Sequence, residues 1–425
     1  RHVPVREPGT SSSQAGDQQF EILRELLTVN HRSLPPHPPQ RRLAYLSSGA
    51  VCGTLAVYRD DLVALKYDAA SAVGPLLRLL DPEQAHNIGI WAASKGLFPR
   101  ETRPDDGSLR ITCWGKQFRS PLGLSAGFDK DGVAAASLLD LGFAFVEVGS
   151  ITPEPQPGNP KPRCFRVEIP GQECVINRYG FNNVGADRAR ENLVRQRELM
   201  RGGGGVIGIN IGKNKTSEDA VADYVIGVRK LGPLADYLVV NISSPNTPGL
   251  RSLQSRSQLE TLIKAVVKER DQLEGNRPPV LVKIAPDLVD EELKDIARVA
   301  TSLKLDGLIV SNTTIERPPA IQSHIHGHET GGLSGKPLFA KSTEVLHRMY
   351  TLTKGKIVLV GVGGVSSGED AYKKIRAGAT LVELYTALSY EGPSLVPRVK
   401  RELAACLARD GFTSVADAVG ADHRR

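Results

Sequence analysis

From residue 110 onwards, short apolar and β-branched stretches alternate with longer amphipathic stretches. A short apolar run between turn-forming residues is typical of a buried strand. Eight such runs predict strands, at residues 121–127, 143–150, 206–212, 237–244, 280–286, 307–314, 357–365 and 381–388. The amphipathic stretches between them predict helices, for example over residues 255–274, 289–303 and 393–409. Eight strand–helix units in series favour an α/β fold, a parallel (β/α)8 TIM barrel, over an open sheet.

The segments ahead of the first strand predict smaller elements. Residues 109–120 predict a hairpin that turns at Gly115 and would plug the bottom of the barrel. Residues 62–80 carry apolar side chains at helical spacing and predict one amphipathic helix. Asp81, followed by Pro, predicts the N-cap of a second helix that ends near Gly96.

The N-terminal 60 residues differ in composition from the rest. Residues 1–42 are rich in Ser, Pro and Gln and predict a disordered tail or an organellar targeting remnant, although they contain more acidic residues than such peptides usually have. Residues 43–58 contain no charged residue and predict a single membrane anchor, with a signal-type segment or a buried helix as alternatives. The predicted divisions are a tail at 1–42, an anchor at 43–60, a helical domain at 61–98 and the barrel at 99–425.

Charge and cysteine content narrow the function classes. The net charge is +7, but no long Lys/Arg run is interleaved with aromatic residues, and aromatics make up only 5% of the chain. Scattered surface charge with a basic site for an anionic ligand is therefore favoured over nucleic-acid binding. The five Cys residues form no CxxC pair, which favours a reducing compartment over a disulfide scaffold.

Polar residues occupy the ends of the predicted strands, where a barrel carries its active site. Asn210, Asn241 and Asn312 each interrupt an apolar run at a similar depth. Asn offers both donors and an acceptor, which suits a ligand edge that alternates amides and carbonyls, as in a flavin or a pyrimidine. The recurrence on several strands predicts one shared polar pocket.

Two glycine-rich turns follow late strands. Ser334 and Gly335 lie in GGLSGKP, and Gly363 and Gly364 lie in GVGGVSSGED, which opens a helix near Gly368. Glycine lets backbone N–H groups approach a phosphate, and a helix N-terminus adds a favourable dipole. These turns predict a phosphate site after late barrel strands.

Longer motifs are more specific, among them GLSAGFDKDG, INRYGFNN, INIGKNK, YLVVNISSPNTPGLR, ETGGLSGKPL and GVGGVSSGEDA. Over residues 62–425 the chain closely resembles the class 2 dihydroorotate dehydrogenases, which are quinone-dependent and membrane-associated. The resemblance implies oxidation of dihydroorotate to orotate in pyrimidine biosynthesis, with FMN as hydride acceptor and ubiquinone as final electron acceptor. It also implies location at the mitochondrial inner membrane.

The resemblance assigns residues to each role. Ser244 matches the catalytic base that removes the C5 proton. The matching substrate-binding residues are Lys130, Asn177, Arg178, Tyr179, Gly180, Phe181, Asn241, Asn246, Thr247, Asn312 and Thr313. The matching FMN-binding residues are Ser125, Ala126, Gly127, Lys130, Gly149, Ser150, Asn210, Asn241, Lys283, Ser311, Ser334, Gly335, Gly363, Gly364, Tyr385 and Thr386. The quinone tunnel matches at His86, Arg166 and Tyr385.

Some positions depart from the family pattern. Ser125 stands where animal members carry Ala, Ser311 replaces a Thr, and Leu77 falls where animal members carry a tunnel Gln. The HxHxH run that begins at His324 lacks a nearby ligand set, so no metal site is predicted. Two other function classes stay open from the residues alone: a flavin-free phosphosugar isomerase or synthase on the same barrel, and a non-catalytic, membrane-tethered binding protein.

Overall fold

The computed structural model describes residues 48–200 and 204–424. The predicted tail and residues 43–47 of the predicted anchor lie outside the described residues. The strands are β1 (Ile111–Cys113), β2 (Lys116–Phe118), β3 (Leu122–Leu124), β4 (Phe145–Ile151), β5 (Cys164–Val167), β6 (Cys174–Asn177), β7 (Val206–Ile211), β8 (Tyr237–Asn241), β9 (Val280–Ile284), β10 (Gly307–Val310), β11 (Gly332–Gly335), β12 (Val358–Val362) and β13 (Leu381–Leu384).

The α-helices surround these strands in the expected alternation. They are α1 (Ser48–Ala72), α2 (Gly74–Leu77), α3 (Pro82–Ser94), α4 (Ala135–Asp140), α5 (Gly185–Leu199), α6 (Ala220–Leu231), α7 (Arg256–Asp271), α8 (Asp290–Ser302), α9 (Pro319–Gln322), α10 (Phe339–Thr353), α11 (Gly368–Arg376), α12 (Thr386–Glu391), α13 (Leu395–Arg409) and α14 (Val415–Ala418). The helices predicted over residues 255–274, 289–303 and 393–409 are confirmed as α7, α8 and α13.

The eight predicted strands close into a parallel barrel, which confirms the predicted fold. The order around it is β3, β4, β7, β8, β9, β10, β12 and β13, and β13 pairs with β3 to complete the ring. Every residue of β4, β7, β8 and β9 is buried. One face of each strand meets the barrel interior and the other meets helices, so these strands read as continuous apolar runs.

The predicted hairpin is also confirmed. β1 and β2 pair antiparallel, and Trp114 and Gly115 make the turn between them. The Phe118 ring meets the Phe145 ring edge-on at 5.7 Å, and the Trp114 ring lies 5.4 Å from the Tyr237 ring. Because Phe145 and Tyr237 begin β4 and β8, these aromatic contacts place the hairpin at the amino-terminal end of the barrel.

The helix predicted over residues 62–80 is in fact two helices. α1 ends at Ala72, and α2 begins at Gly74 with Pro75 in its first turn. Pro75 has no backbone N–H to continue the first helix, and it fits the first turn of a new one. The second predicted helix is confirmed as α3, where the Asp81 side chain accepts hydrogen bonds from the backbone N–H groups of Glu83 and Gln84.

The first helix packs through the part that follows residue 60. Tyr67 is buried and donates a hydrogen bond to Leu141 O (2.8 Å), and Val63 belongs to the same apolar core as the barrel. Charged residues from Asp60 to Asp68 interrupt the apolar character of α1. Across residues 48–200 and 204–424, no helix has both the length and the apolar character needed to cross a membrane.

One glycine-rich segment predicted as a turn is a strand. Gly332–Gly335 forms β11, which pairs antiparallel with β6, and β6 pairs with β5 in a three-stranded sheet outside the barrel. The Gly-Gly-Leu-Ser-Gly composition favours a turn by propensity, but pairing with β6 satisfies its backbone hydrogen bonds. Gly335 ends the strand with φ of 100°, a backbone angle that residues other than glycine rarely adopt.

Candidate active site

Polar side chains from several strands meet at the carboxyl-terminal end of the barrel. Asn241 is central: its Nδ2 donates to Ser150 Oγ (2.9 Å) and Asn210 Oδ1 (3.2 Å). Asn312 Nδ2 donates in turn to Asn241 Oδ1 (3.3 Å) and Ser243 Oγ (3.0 Å). The three Asn residues that the sequence predicts in one pocket are therefore joined in one hydrogen-bond network.

Ser244 follows this network in the loop after β8, and only 7% of its surface is exposed. Its Oγ accepts a hydrogen bond from the Asn246 backbone N–H (3.3 Å). The Asn246 Nδ2 donates to Asn177 Oδ1 (3.4 Å) at the end of β6. Thr247 Oγ1 is buried and has no hydrogen-bond partner within the described residues. Burying a hydroxyl without a partner costs free energy, so Thr247 is available to a bound ligand.

The loop after β6 brings the other predicted substrate residues to the same place. Phe181 has φ of 54°, and its ring packs so closely on Gly212 that a Cβ there would lie 2.9 Å from Phe181 Cε2. Gly180 packs against Asn159, whose Nδ2 donates to the Asn246 carbonyl (3.1 Å). Asn159, which the sequence analysis does not single out, thus ties this loop to the loop that carries Ser244.

The Arg178 side chain is engaged outside this cluster. Its Nη1 forms an ion pair with Glu329 Oε2 (2.6 Å) and donates a hydrogen bond to the Thr330 carbonyl (3.2 Å). Its guanidinium also lies 4.6 Å from the centre of the Phe165 ring. Through Nη1 and the face of its guanidinium, Arg178 ties the loop after β6 to the segment at Glu329 and Thr330.

Lys130 links the substrate side to the helical N-terminal segment. Its Nζ donates to His86 Nε2 (2.9 Å) and lies 4.5 Å from the centre of the Tyr179 ring. Burial lowers the pKa of Lys130 to about 8. Burial, and then the charge of Lys130, hold the pKa of His86 well below its usual range. At neutral pH a charged Lys130 therefore donates to a neutral imidazole.

A buried acidic pair surrounds Lys283 beneath the Asn network. Lys283 Nζ lies 3.3 Å from Glu147 Oε1, 3.9 Å from Glu383 Oε2 and 3.1 Å from Ser125 Oγ. Asn210 Nδ2 donates to the same Glu147 oxygen at 2.8 Å. Glu147 and Glu383 are both completely buried. One ammonium thus faces two carboxyl groups in a space without solvent.

Only one of the two carboxyl groups can be ionised at neutral pH without leaving a net buried charge. Burial, and then the charge of Glu147, raise the pKa of Glu383 well above its usual range. Burial opposes the charge of Lys283, but Glu147 and Glu383 raise its pKa overall. At pH 7 Lys283 is therefore charged and Glu383 is protonated.

The glycine-rich segments lie near the N-terminus of α10. Thr386 Oγ1 donates to Ser334 Oγ (2.9 Å), and Ser342 Oγ lies 3.1 Å from the Gly363 carbonyl. A Cβ on Gly364 would lie 2.7 Å from the backbone nitrogen of Phe339, the first residue of α10. These contacts place Gly363 and Gly364 against the first turn of α10, and a helix N-terminus is a favourable place for a phosphate.

The remaining predicted flavin residues lie at the same end of the barrel. The Gly127 backbone N–H donates to Gly149 O (2.8 Å), and the Ser311 N–H donates to Val362 O (3.2 Å). Ser125, Ala126 and Gly127 follow β3, Gly149 lies near the end of β4, and Ser311 follows β10. A cation at Lys283, amide groups in the network and glycine turns at helix N-termini together fit the ring and the phosphate of FMN.

The predicted quinone residues lie between the N-terminal helices and the barrel. The His86 ring contacts Phe128 (5.4 Å) and Tyr385 (6.4 Å), and those two rings meet edge-on at 5.5 Å. Arg166 lies apart from them: its Nη1 donates to Arg78 O (2.9 Å) and Leu80 O (2.8 Å). Arg166 therefore secures the segment after α2, which places it in the wall formed by these helices.

Glu147 and Glu383 are site residues that the sequence analysis missed. Each is a single acidic residue within an apolar strand, in FVEVGS and in LVELY. An isolated acidic residue in an otherwise buried strand indicates a paired or protonated group, as Lys283 does in VLVKIAP. Within the described ranges, no group of His, Cys, Asp and Glu residues is arranged to hold a metal ion.

Comparison with known proteins gives one consistent result. A sequence model of the family described as "Dihydroorotate dehydrogenase" matches residues 108–407. The chain is 52% identical over 419 residues to "Dihydroorotate dehydrogenase (quinone), mitochondrial" of Oryza sativa, covering 91% of this chain and 89% of that protein. It is 56% identical over 355 residues to the protein of the same name from Mus musculus, covering 82% and 89%.

A solved structure agrees with the sequence comparisons. The ligand-free DHODH crystal structure from Eimeria tenella superposes with a TM-score of 0.78 at 46% identity, covering 81% of this chain and all (100%) of that chain. Identity and coverage of this extent, over the barrel and the strand ends that form the site, leave a single assignment. The chain belongs to the dihydroorotate dehydrogenase family.

Proposed function

We propose that this enzyme oxidises dihydroorotate to orotate in pyrimidine biosynthesis, with FMN as hydride acceptor and ubiquinone as final electron acceptor. The observation that carries the proposal is the junction of Ser244, the Asn241 network and buried Lys283 at one end of the barrel. Relatives named as quinone-dependent dihydroorotate dehydrogenases, at 50% identity or more, support it.

The substrate is held by amides and a cation. Asn177 and Asn246, 3.4 Å apart, and Asn312 present donors and acceptors that suit the amide edge of a dihydropyrimidine. The charged Lys130 attracts the substrate carboxylate. Thr247 Oγ1, buried without a partner in the described residues, gains a hydrogen bond when a ligand binds.

Ser244 is proposed as the base for the C5 proton, which it accepts as its own hydroxyl proton passes to solvent at the exposed edge of the side chain. Its hydroxyl is nearly buried and accepts a hydrogen bond from the Asn246 N–H, which fixes its position. Exclusion of water around a weak base strengthens its interaction with the substrate proton. FMN, when bound, supplies the hydride-accepting chemistry. Lys283 supplies a fixed positive charge beside it, which favours a ring that gains negative charge on reduction.

The test of this function uses the purified protein itself. We expect a yellow protein whose flavin absorbance bleaches on anaerobic addition of dihydroorotate and returns on addition of a ubiquinone analogue. A colourless protein that binds no flavin would contradict the proposal and favour a phosphosugar isomerase or synthase. A yellow protein that dihydroorotate does not bleach would favour a binding protein without catalysis.

Replacing Arg166 by Ala is expected to slow reoxidation of the flavin by quinone and to leave its reduction by dihydroorotate nearly unchanged. The reason is that Arg166 bonds the carbonyls of Arg78 and Leu80 in the helical segment, whereas Ser244 and Lys130 hold the substrate. Stopped-flow measurement of each half-reaction checks this. Arg188→Ala, an exposed change on α5, is the control. Equal losses in both half-reactions would show that Arg166 supports the whole site.

We also propose attachment to the mitochondrial inner membrane through the N-terminal segment. Relatives named as mitochondrial support the organelle. Exposed leucines on the N-terminal helices support contact with lipid: Leu62 and Leu65 on α1, Leu76 on α2, and Leu79 just after it. A group of exposed apolar side chains is typical of a membrane or protein contact.

Deleting residues 1–60 is expected to leave a soluble, yellow and active enzyme. The core residues Val63 and Tyr67 remain, and every proposed site residue lies beyond the deletion. Flavin content and partition between membrane and soluble fractions, compared with the full chain, check this. A truncated protein that no longer binds FMN would show that the boundary at residue 60 is wrong.

A further inference from the structure

Lys374 is a buried cation that the proposed mechanism does not use. It lies on α11, and none (0%) of its surface is exposed. Its Nζ donates to Ser342 Oγ (2.8 Å) and Thr343 Oγ1 (2.9 Å), both on α10. It also lies 4.9 Å from the centre of the Phe339 ring. Within the described residues it makes no ion pair, unlike Lys283, so its charge has no carboxylate in contact.

The two hydroxyls that Lys374 holds lead to the glycine turn. Thr343 Oγ1 accepts from Lys374 and donates to the Phe339 carbonyl (2.7 Å). Ser342 Oγ also accepts from Lys374 and lies 3.1 Å from both the Phe339 and Gly363 carbonyls. Thr343 already donates to the Phe339 carbonyl, so donation by Ser342 to the Gly363 carbonyl gives each carbonyl one hydroxyl donor. Lys374 therefore orders the hydroxyl that holds the turn.

Lys374 changes its charge near neutral pH. Burial lowers its pKa to about 7, and only Asp370, acting at a distance, opposes that effect. The groups that face it are the Ser342 and Thr343 hydroxyls and the Phe339 ring from α10, and the backbone at Gly361 from β12. A phosphate at the neighbouring turn would favour the charged form.

We propose that Lys374 is a positioning residue for the turn at Gly363 and Gly364, and that binding of a phosphate group there takes up a proton on the Lys374 amine. This inference rests on the proposed binding of FMN. Lys374 adds a positive charge beside the phosphate site. It is linked to that site through Ser342 and does not contact the turn directly. By thermodynamic linkage, a ligand that favours the charged amine binds more tightly at pH values at which the amine is charged.

The experiment compares FMN with riboflavin, which lacks the phosphate. Binding to protein from which the flavin has been removed is followed by quenching of flavin fluorescence between pH 6 and 9. We expect FMN affinity to fall with rising pH above 7, approaching about tenfold per pH unit. Riboflavin has no phosphate to favour the charged amine, so its affinity should change much less. Titration of groups near the ring, such as Lys130, affects both ligands alike and cancels in the comparison.

Lys374→Met keeps much of the side-chain volume and removes the charge. It should weaken FMN binding at pH 6.5 by about tenfold or more, flatten its pH dependence and leave riboflavin binding unchanged. Lys373→Met, on the same helix and largely exposed, is the matched control and should behave as the unchanged protein. Equal FMN affinity in Lys374→Met and the control would overturn the proposal.

A measurement on the unchanged protein covers the case in which Lys374→Met does not fold. At pH 8 the phosphate of FMN is already fully ionised, so proton uptake on binding in weakly buffered solution reports on the protein. We expect FMN to take up more protons than riboflavin. Equal uptake for the two ligands would contradict the inference. Failure of both ligands to bind would instead contradict the proposed flavin function.

Discussion

Flavin reduction by dihydroorotate is expected to slow by about 10²–10⁴-fold when Ser244 is replaced by Ala, the range typical of losing a positioned base. Substrate affinity should change little, because Lys130 and the Asn network remain in place. Anaerobic single-turnover reduction, followed by flavin absorbance from pH 6 to 10, measures the rate and the affinity separately.

Ser244→Cys is the informative companion to this change. A thiol ionises near pH 8.5, far below a hydroxyl, so the Cys variant should recover part of the rate with a pH dependence shifted to lower pH. A Ser that only shapes the loop before Pro245 would behave differently, since Ala would then be tolerated within a few-fold. Near-normal reduction by Ser244→Ala would remove Ser244 from the mechanism.

Replacing both Glu147 and Glu383 by Gln is expected to destabilise the protein by about 3–5 kcal/mol, the cost of leaving a buried charge without its partner. The double variant leaves Lys283 with no carboxylate in a space where both acids are completely buried. Glu383→Gln alone should be nearly neutral near pH 4.5 and stabilising at pH 7, because the carboxyl that it replaces is protonated in the folded protein but ionised in the unfolded chain. Glu147→Gln alone should cost less than the double change, since Glu383 can then ionise beside Lys283.

Denaturant unfolding at several pH values separates these cases. Because the pKa of Glu383 is raised in the folded state, the folded protein holds one proton more than the unfolded chain above pH 4.5. Its stability therefore falls as the pH rises, by up to about 1.4 kcal/mol per unit, until the folded pKa is passed. Glu383→Gln removes this loss, so the variant should gain on the unchanged protein from pH 5 to 8. Parallel pH profiles would show that Glu383 is ionised in the folded state.

The barrel and the meeting of polar side chains at one end of it were predictable from the sequence, because buried parallel strands are continuous apolar runs and polar interruptions such as Asn241 mark their ends. The break at Pro75 was not predicted, because helical spacing of leucines masked a residue that cannot continue a helix. The segment that forms β11 was predicted as a turn, because the pairing with β6 that makes it a strand depends on a distant segment of the chain.

The hydrogen bonds of the site were less accessible to sequence reasoning than its residues. Nothing in the local sequence places His86 beside Lys130, because the two are far apart along the chain and belong to different elements. The same holds for Lys374 and Ser342. A lone Lys on a predicted amphipathic helix is usually exposed, and only packing of α11 against α10 shows that this one is not.

The hydrogen bond from Lys130 to His86 has a consequence for inhibition. One end of it belongs to the helix that carries His86, a proposed quinone residue, and the other to the proposed substrate pocket. A compound that enters from the quinone side and displaces the imidazole also removes the acceptor of Lys130, and so changes how the ammonium meets the substrate carboxylate. Such compounds should show mixed inhibition toward dihydroorotate, and their potency should depend on whether orotate already occupies the pocket.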